Sequence, residues 1–543
     1  MNNLRPALYA LLAIILFFLW TDWEHRVPPL APPPVASNPL IPSTPGTVPR
    51  LRAAQPPAAA PSVARDAKKA VLTRTVTVRT DTMIATLGSR GADITHLLLR
   101  HYSAKDSHDQ RRYALLRPTL AHEFINENGL LGRSVYPNQN SLYTVAHRHY
   151  QLLAGHKHLR VRFDWVRGPL QIIKTYVFTR GSYLVRVRYH IHNLGPVARH
   201  VYLYSQFIHG PPPKTHFYHS APIYIGAAVY TPAHKYHKLP FSRMAKHPYH
   251  REATGGWVAV SQHYFLGAAI PPPRARAIFY SAALPGPRYL IGYKTARGLV
   301  VAPGTTATVS TRLFLGPKKP SLLKAVAPGL PLTVDYGWLT ILAQPLYWTL
   351  AHIERLTGNW GLAIILLTVL IKIVFFPLSA TSFKSMAKMR KLQPRMAALK
   401  ERHGSDKGAL QQAMMDLYKQ EKMNPLGGCL PMVVQIPVFI ALYWVLLDSV
   451  ALRDAPFILW IHNLAAPDPY FVLPILMGIS MMLQQMLNPA MMDPTQRKIM
   501  MVMPVIFTVF FLFFPAGLVL YWVINNLLSI LQQWWVMSRM EKA

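Results

Sequence analysis

Residues Asn359 to Ala380, NWGLAIILLTVLIKIVFFPLSA, are long and apolar enough to cross a bilayer, yet Lys372 lies near their middle. A spanning helix needs about 20 apolar residues, and a charge at its centre costs about 2.5 to 3.5 kcal/mol even on the lenient insertion scale. Two arrangements repay that cost. The side chain can snorkel to the headgroups, which begin roughly 12 Å of helix rise further on, or it can sit in a water-filled pocket lined by amides and hydroxyls.

The rest of the chain supplies more such stretches. Over 543 residues, 51% are hydrophobic, and mean hydropathy is positive at +0.16. This composition indicates several membrane spans plus a soluble part. The first 26 residues carry Arg5, an apolar run from Ala7 to Trp20, then Asp22 and Glu24. No small-residue cleavage box follows directly, so 1–26 is expected to be an uncleaved signal anchor with a cytoplasmic N-terminus.

Further spans are expected at 426–447, 470–486, 499–514 and 518–537, the first punctuated by Pro431 and Pro437. The connection 381–425 carries ten Lys and Arg, which places it in the cytoplasm. The loop 448–468 carries Asp448, Asp454 and Asp468 against Arg453 and lies outside, whereas the short loop 488–498 with Arg497 and Lys498 lies inside. Pro515 to Gly517 makes the last outer turn and SRMEKA ends in the cytoplasm. The fold class expected is therefore an α-helical polytopic membrane protein of six transmembrane helices plus an all-β sandwich domain outside.

Residues 27–65 are rich in Pro and Ala, a spacer that cannot bury a core. From 66 to 325 the pattern is one of short alternating runs. They include 73–81, 95–102, 199–208, 257–270, 276–282, 289–293 and 305–315, and the stretch 170–195 reads as two long strands joined near Arg180 to Ser182. Residues 326–358 include Tyr336 to Leu356, an aromatic-rich amphipathic segment broken by Pro345 and expected to lie at the interface. Residues 359–543 then hold the helical core, with a basic helical hairpin over 381–425 in which Gly404 ends the first helix and Ser405 or Asp406 caps the second.

The formal charge of +36 invites a nucleic-acid reading. The bases are spread along strand-like segments with no recognition module, so no specific DNA binding is expected. Residues 62 to 325 alone hold 37 Lys and Arg against 9 Asp and Glu, an excess read as solubility or as a response to an acidic periplasm. The passage 209–250 contains H-x-x-H at His216/His219, His234/His237 and His247/His250, but the spacing matches no known metal site. With the single Cys429, no disulfide framework or Cys-based zinc site can form within the chain. The sequence lacks H-E-x-x-H, G-x-S-x-G and G-x-x-x-x-G-K-[ST], so no catalytic residues, cofactor or metal are expected.

Lys372 has Thr368 one turn earlier on the same face, and the later spans carry Gln435, Gln484, Gln485, Tyr521, Asn525, Asn526, Gln532 and Gln533. No acidic residue lies within the centre of any span. Such a lone charge suits a groove for a passing guest. A secondary transporter would show internal repeats between the spans, which are not found, and a non-inserting assembly factor would not need Lys372.

The runs NWG (359–361), FFPL (375–378), SMAKMRKLQP (385–394), NPLGGCLPMVVQIPVFIALY (424–443), APFILWIHNL (455–464), DPYFVLPILMG (468–478) and MPVIFTVFFLFFPAGLVLYW (503–522) resemble the YidC family of membrane-protein insertases. The anchor, spacer and β-domain resemble its Gram-negative form. The resemblance implies a β-supersandwich in the periplasm, five helices forming the family's conserved core, and both termini in the cytoplasm of the bacterial inner membrane.

It also implies a groove whose charge attracts acidic segments of nascent membrane proteins, alone or with the Sec translocase and the ribosome, without a nucleotide. The groove charge falls on Lys372, where arginine is usual, with Thr368, Gln435 and Tyr521. Trp522 stands where the family often has a second tyrosine, and Asn526 completes the expected groove contacts. Lys388, Arg390, Lys391 and Arg395 of the hairpin are the expected partner contacts, on anionic lipid or ribosomal RNA. The hairpin methionines Met386, Met389, Met396, Met414, Met415 and Met423 either form its packing seam or an adaptable client surface.

Overall fold

The computed structural model describes residues 74–104, 111–119, 122–133, 135–211, 224–404, 406–421, 430–487 and 494–542. The signal anchor 1–26, the spacer 27–65, the start of the β-domain at 66–73, His216/His219, Met423 and Cys429 lie outside the described residues. Two compact units emerge. One contains the described residues of Pro45–Leu362 and Val438–Ala466, the other those of Ala363–Pro437 and Pro467–Ala543.

The first unit is built on β1 (Thr75–Arg79), β2 (Met83–Gly88), β3 (Ile94–Ser103), β4 (Arg112–Leu116), β5 (Phe124–Leu131), β6 (Thr144–Val145) and β7 (His149–Gln151). There follow β8 (His158–Arg167), β9 (Leu170–Thr179), β10 (Leu184–Asn193), β11 (Arg199–His209), β12 (Gly226–Thr231), β13 (Lys235–Leu239), α1 (Phe241–Met244) and β14 (His250–Thr254). The last strands are β15 (Trp257–Ser261), β16 (Phe265–Ile270), β17 (Arg276–Leu284), β18 (Arg288–Thr295), β19 (Leu299–Val301) and β20 (Thr306–Pro317).

A nine-stranded sheet runs β13-β12-β15-β16-β20-β10-β9-β8-β6, and a second runs β14-β17-β18-β11-β19 with β5 also paired to β11. A five-stranded sheet, β4-β3-β2-β1-β7, completes the unit. Alternation decides which face goes inward. In β10 Val185, Val187, Tyr189 and Ile191 are fully buried while Arg186, Arg188, His190 and His192 take the other face. The two larger sheets meet across this core. Tyr293 of β18 donates to Thr311 Oγ1 of β20 at 2.6 Å, and a Cβ on Gly267 of β16 would meet Phe124 Cζ at 2.7 Å.

The sandwich is the expected one, and the stretch 170–195 is indeed β9 and β10. Other strands were not foreseen. FINENGLL of β5 looks like a turn, yet Asn126 and Asn128 are fully buried because they bond to Gln206 O at 3.0 Å and to each other at 3.0 Å. The His-rich passage includes the hairpin of β12 and β13.

At the centre of this unit lies Lys174, on the inward face of β9, with a side chain 0% exposed. Its ammonium meets Gly91 O at 2.7 Å, Asp93 Oδ1 at 2.9 Å and Asn128 O at 3.1 Å, so all three donors are used. The rings of Tyr143, Tyr176 and Tyr189 lie 5.4–5.8 Å away. Gly91 presents its carbonyl from a left-handed conformation (φ +72°), and a Cβ there would meet Asp93 Oδ2 at 2.4 Å. Burial pulls the Lys174 pKa down and Asp93 opposes the shift.

After the sandwich come α2 (Pro320–Val326) and α3 (Thr340–Thr357). The break expected at Pro345 does not occur, and α3 runs through it. The one i→i−4 bond lost lies near the helix start, where a proline is least disruptive. The loop 449–466 folds with this unit. Arg453 donates to Ser103 O at 2.8 Å with its guanidinium carbon 5.3–5.6 Å from the rings of Tyr113, Tyr264 and Phe265, and Lys318 pairs with Asp448 at 3.3 Å.

The helices of the core are α4 (Trp360–Val374), α5 (Phe376–His403), α6 (Lys407–Gln420), α7 (Leu430–Asp448), α8 (Val472–Leu487), α9 (Pro494–Phe511) and α10 (Ala516–Lys542). The stretch expected to be one span from 359 to 380 is instead bent by 65° between α4 and α5. Pro377 cannot donate to the carbonyl four residues back, which opens the ladder there. The first helix of the hairpin therefore begins at Phe376 rather than 381. Asp406 caps α6, accepting from the Gly408 and Ala409 amides. Pro515 to Gly517 is not wholly a turn, since α10 begins at Ala516. Among the described residues no single helix is long and apolar enough to cross a membrane, although α4 with the start of α5 passes the test together.

Two outcomes follow for the β-domain. Lys174→Ala leaves Asp93 buried without its cation and should cost about 3–5 kcal/mol in denaturant unfolding, and adding Asp93→Asn should recover part of the loss. His209 is 6% exposed, stacks on Phe241 with ring centres 5.0 Å apart, and has its pKa lowered by burial, partly offset by its bond to Gly210 O. The unfolded chain then binds the extra proton first as pH falls, so stability declines below the usual histidine value near 6.5. Melting between pH 7.5 and 5.5 should show the decline, and a shallower one in His209→Phe.

Candidate functional site

The sequence of α10 places Tyr521, Asn525, Ser529 and Gln532 three or four residues apart, on one face of the helix, with Asn526 and Gln533 on the adjoining one. Tyr521, Asn525, Asn526, Ser529 and Gln533 are all buried. A helix otherwise so apolar has given its inner face to groups that must find partners within the unit.

They find them on three other helices. Lys372 of α4 is 7% exposed, and its ammonium donates to Ser529 Oγ at 2.7 Å. Ser529 in turn donates to Asn525 O at 2.7 Å. Gln435 of α7 donates to Asn525 Oδ1 at 2.7 Å and hydrogen-bonds the Tyr521 side chain. Gln532 Nε2 reaches the Lys372 carbonyl at 3.4 Å. On the adjoining face Asn526 donates to Ser480 Oγ at 3.0 Å and Gln533 to Leu487 O at 3.2 Å, tying α10 to α8.

Lys372, Ser529, Asn525, Gln435 and Tyr521 thus form one connected string across α4, α10 and α7. The expected groove residues divide around it. Thr368 is 1% exposed but gives its hydroxyl to Ile364 O of its own helix at 2.7 Å. Trp522 is half-buried with its ring 5.8 Å from Phe511, edge to face, and Asn526 belongs to the α8 contact. Gln484 and Gln485 are half-buried.

In the hairpin Lys388, Lys391 and Arg395 are exposed, and Arg395 pairs with Glu421 at 2.6 Å. The side chain of Arg390 lies outside the described residues. Met396 is buried and Met415 is 54% exposed, so the methionines share no single face.

Two contributors were missed in the sequence, Ser529 and Ser480. Ser529 follows Asn525 by one turn and Tyr521 by two, a periodicity that would have found it. Ser480 had no such signal, because a serine in an apolar helix usually bonds its own backbone, and this one also does, to Met477 O at 2.7 Å.

Chemically the string holds a charge; it does not activate a nucleophile. The Ser529 proton is committed to a carbonyl and its oxygen accepts from the ammonium, the reverse of the arrangement in which a lysine base takes a serine proton. Among the described residues no carboxylate lies within ion-pair distance of Lys372. Separately, α8 and α9 enclose an apolar groove of about 380 Å³, lined by Ile475, Ile479, Met482, Val505 and Val509.

Comparison with known proteins places these units. Residues 352–543 match the family described as 60Kd inner membrane protein, and residues 75–349 match the YidC periplasmic domain. The membrane protein insertase YidC of Methylobacillus flagellatus is 44% identical over 557 residues, covering 100% of this chain and 98% of that one. The insertase YidC of Nitrosococcus oceani is 42% identical over 550 residues, 100% of both chains. That of Alkalilimnicola ehrlichii is 45% identical over 553 residues, 100% of this chain and 96% of its own. With both units matched and relatives this similar along the whole length, the chain belongs to the YidC family of inner membrane proteins with a periplasmic domain.

Proposed function

We propose that this chain is a membrane-protein insertase that receives nascent membrane proteins at the string of polar groups around Lys372. Full-length relatives named as insertases support the activity. The observation that carries the site is the buried Lys372 ammonium on Ser529, in an apolar helix and without a carboxylate partner among the described residues. A carboxylate on a client segment would supply the counter-charge. Charge-assisted hydrogen bonds are worth about 1.5–3 kcal/mol, enough to hold a hydrophilic segment transiently. Transfer of the neighbouring apolar segment into lipid then drives the step without a nucleotide.

Around that site we read six spans, five of them in the core, with both termini cytoplasmic and the β-domain periplasmic. We assign 1–26 to the anchor, 27–65 to the spacer, 66–325 to the β-domain, 326–358 to an interfacial segment and 359–543 to the core. The exposed apolar side chains of α3, Ile341 at 84% and Trp348 at 61%, support an interfacial position for that helix. Thr368, Gln435, Tyr521, Trp522 and Asn526 line or brace the groove. Lys388, Arg390, Lys391 and Arg395 meet the ribosome or lipid, with the Sec translocase as a further partner. Lysine at 372 keeps the charge but lacks the planar fork of arginine, so selectivity for carboxylates is lower.

Insertion of a client with an acidic tail into vesicles containing only this protein tests the site. Lys372→Ala should slow insertion by about tenfold, Lys372→Glu should slow it further, and Lys372→Arg should retain it. If Ala and Glu insert the client as well as wild type, attraction by Lys372 is wrong. Crosslinking from Gln435 to a stalled nascent chain should be strong and should weaken in Lys372→Ala.

A further inference from the structure

The outer face of the nine-stranded sheet plays no part in the site above. Directly opposed residues on neighbouring strands share a face, and the register sets Arg160 of β8, Val177 of β9, Arg186 of β10 and Arg312 of β20 in one row. The next row is Arg162, Thr175, Arg188 and Ser310. Their chain neighbours Val161, Val185 and Val187 are fully buried, so both rows look outward. Arg160, Arg162 and Arg186 are exposed, and Arg188 and Arg312 half-buried.

Asp164 begins the following row and shows what this face can hold. Arg162 grips it as a fork, with Nε 2.8 and 3.1 Å from its two oxygens and Nη2 2.7 Å from Oδ1. Arg312 donates to Val326 O at 3.2 Å. Among the described residues Arg160, Arg186 and Arg188 pair with no carboxylate.

Alternate residues along a strand stand about 6.8 Å apart, and so do same-side side chains of any extended peptide. Arg160/Arg162 and Arg186/Arg188 are two such pairs on strands separated by β9 alone. Planar guanidinium groups match carboxylates two bonds at a time, whereas anionic headgroups are held as well by lysine. The two rows have five arginines and no lysine.

We propose that this face binds an extended acidic polypeptide segment with carboxylates at alternate positions, each forked by an arginine as Asp164 is by Arg162. The segment lies over β9, between the strands that carry the two pairs, with one carboxylate at the row of Arg160 and Arg186 and the next same-side carboxylate at the row of Arg162 and Arg188.

The test uses the full chain in nanodiscs of zwitterionic lipid and a labelled peptide alternating Glu and Thr. Binding should weaken by about tenfold in Arg186→Ser/Arg188→Ser, strengthen several-fold in Asp164→Asn, which frees the Arg162 fork, and fall with salt. A peptide of equal charge with its Glu in one block should bind more weakly than the alternating one. Equal affinity for wild type and the double variant overturns the proposal, as does equal affinity for the two peptides. It is also overturned if phosphatidylglycerol vesicles depend on these arginines while the peptide does not. Unchanged melting of the variants guards against loss of fold. No insertion step enters the measurement, so its failure leaves the insertase reading standing.

Discussion

An ammonium removed from water must be given back its hydrogen bonds, and two buried lysines meet that requirement in opposite ways. In the β-domain Lys174 has a carboxylate and two carbonyls for its three donors, with three tyrosine rings around it. It is a closed arrangement, and its parts come from β9, the turn after β2 and β5. In the helical unit Lys372 donates to one serine hydroxyl and faces no carboxylate among the described residues. In the proposed reading, that centre receives its carboxylate from a client segment. Full satisfaction holds a fold together, whereas incomplete satisfaction leaves capacity for a ligand.

The polar string around Lys372 also explains the shape of the last helix. Two faces of α10 are polar, one directed to α4 and α7 and the other to α8. Each buried amide has at least one partner among Gln435, Ser480 and the helix carbonyls. The helix beside Lys372 is thus braced on both sides by buried hydrogen bonds, which are costly to break where water is excluded.

Arginine and lysine divide the work in the β-domain by geometry. Lys174, a point charge on a flexible stem, fits a converging cage of oxygens. Arg453 lies over the rings of Tyr113, Tyr264 and Phe265 and donates to the Ser103 carbonyl, and Arg162 forks a carboxylate on the open face. The fork needs a planar partner and the cage needs a small cation. The large excess of positive charge is therefore not uniform. Part is buried structure, part is a clamp, and part is an outward platform.

Much was legible in the sequence because it rests on local periodicity. Alternation marked β1 and β10, short strand-like runs marked β9, β15 to β18 and β20, and the apolar lengths marked the helices of the core. Lys372 stood out because a charge in such a stretch is costly wherever the chain goes. What stayed hidden depends on partners distant in sequence. FINENGLL becomes a strand only because β11 offers bonds to its asparagines, and Lys174 is tolerated only because Asp93 and Asn128 arrive from elsewhere. Ser529 rather than Thr368 meets Lys372, although each hydroxyl donates to a carbonyl of its own helix, because α10 carries Ser529 to the ammonium. The sequence by itself determined that this is a chain of apolar helices and a β-sandwich with a charge kept in a costly place. Only the tertiary structure decided which groups solvate that charge, because hydrogen bonds between helices depend on where side chains meet in space and not on their spacing along the chain.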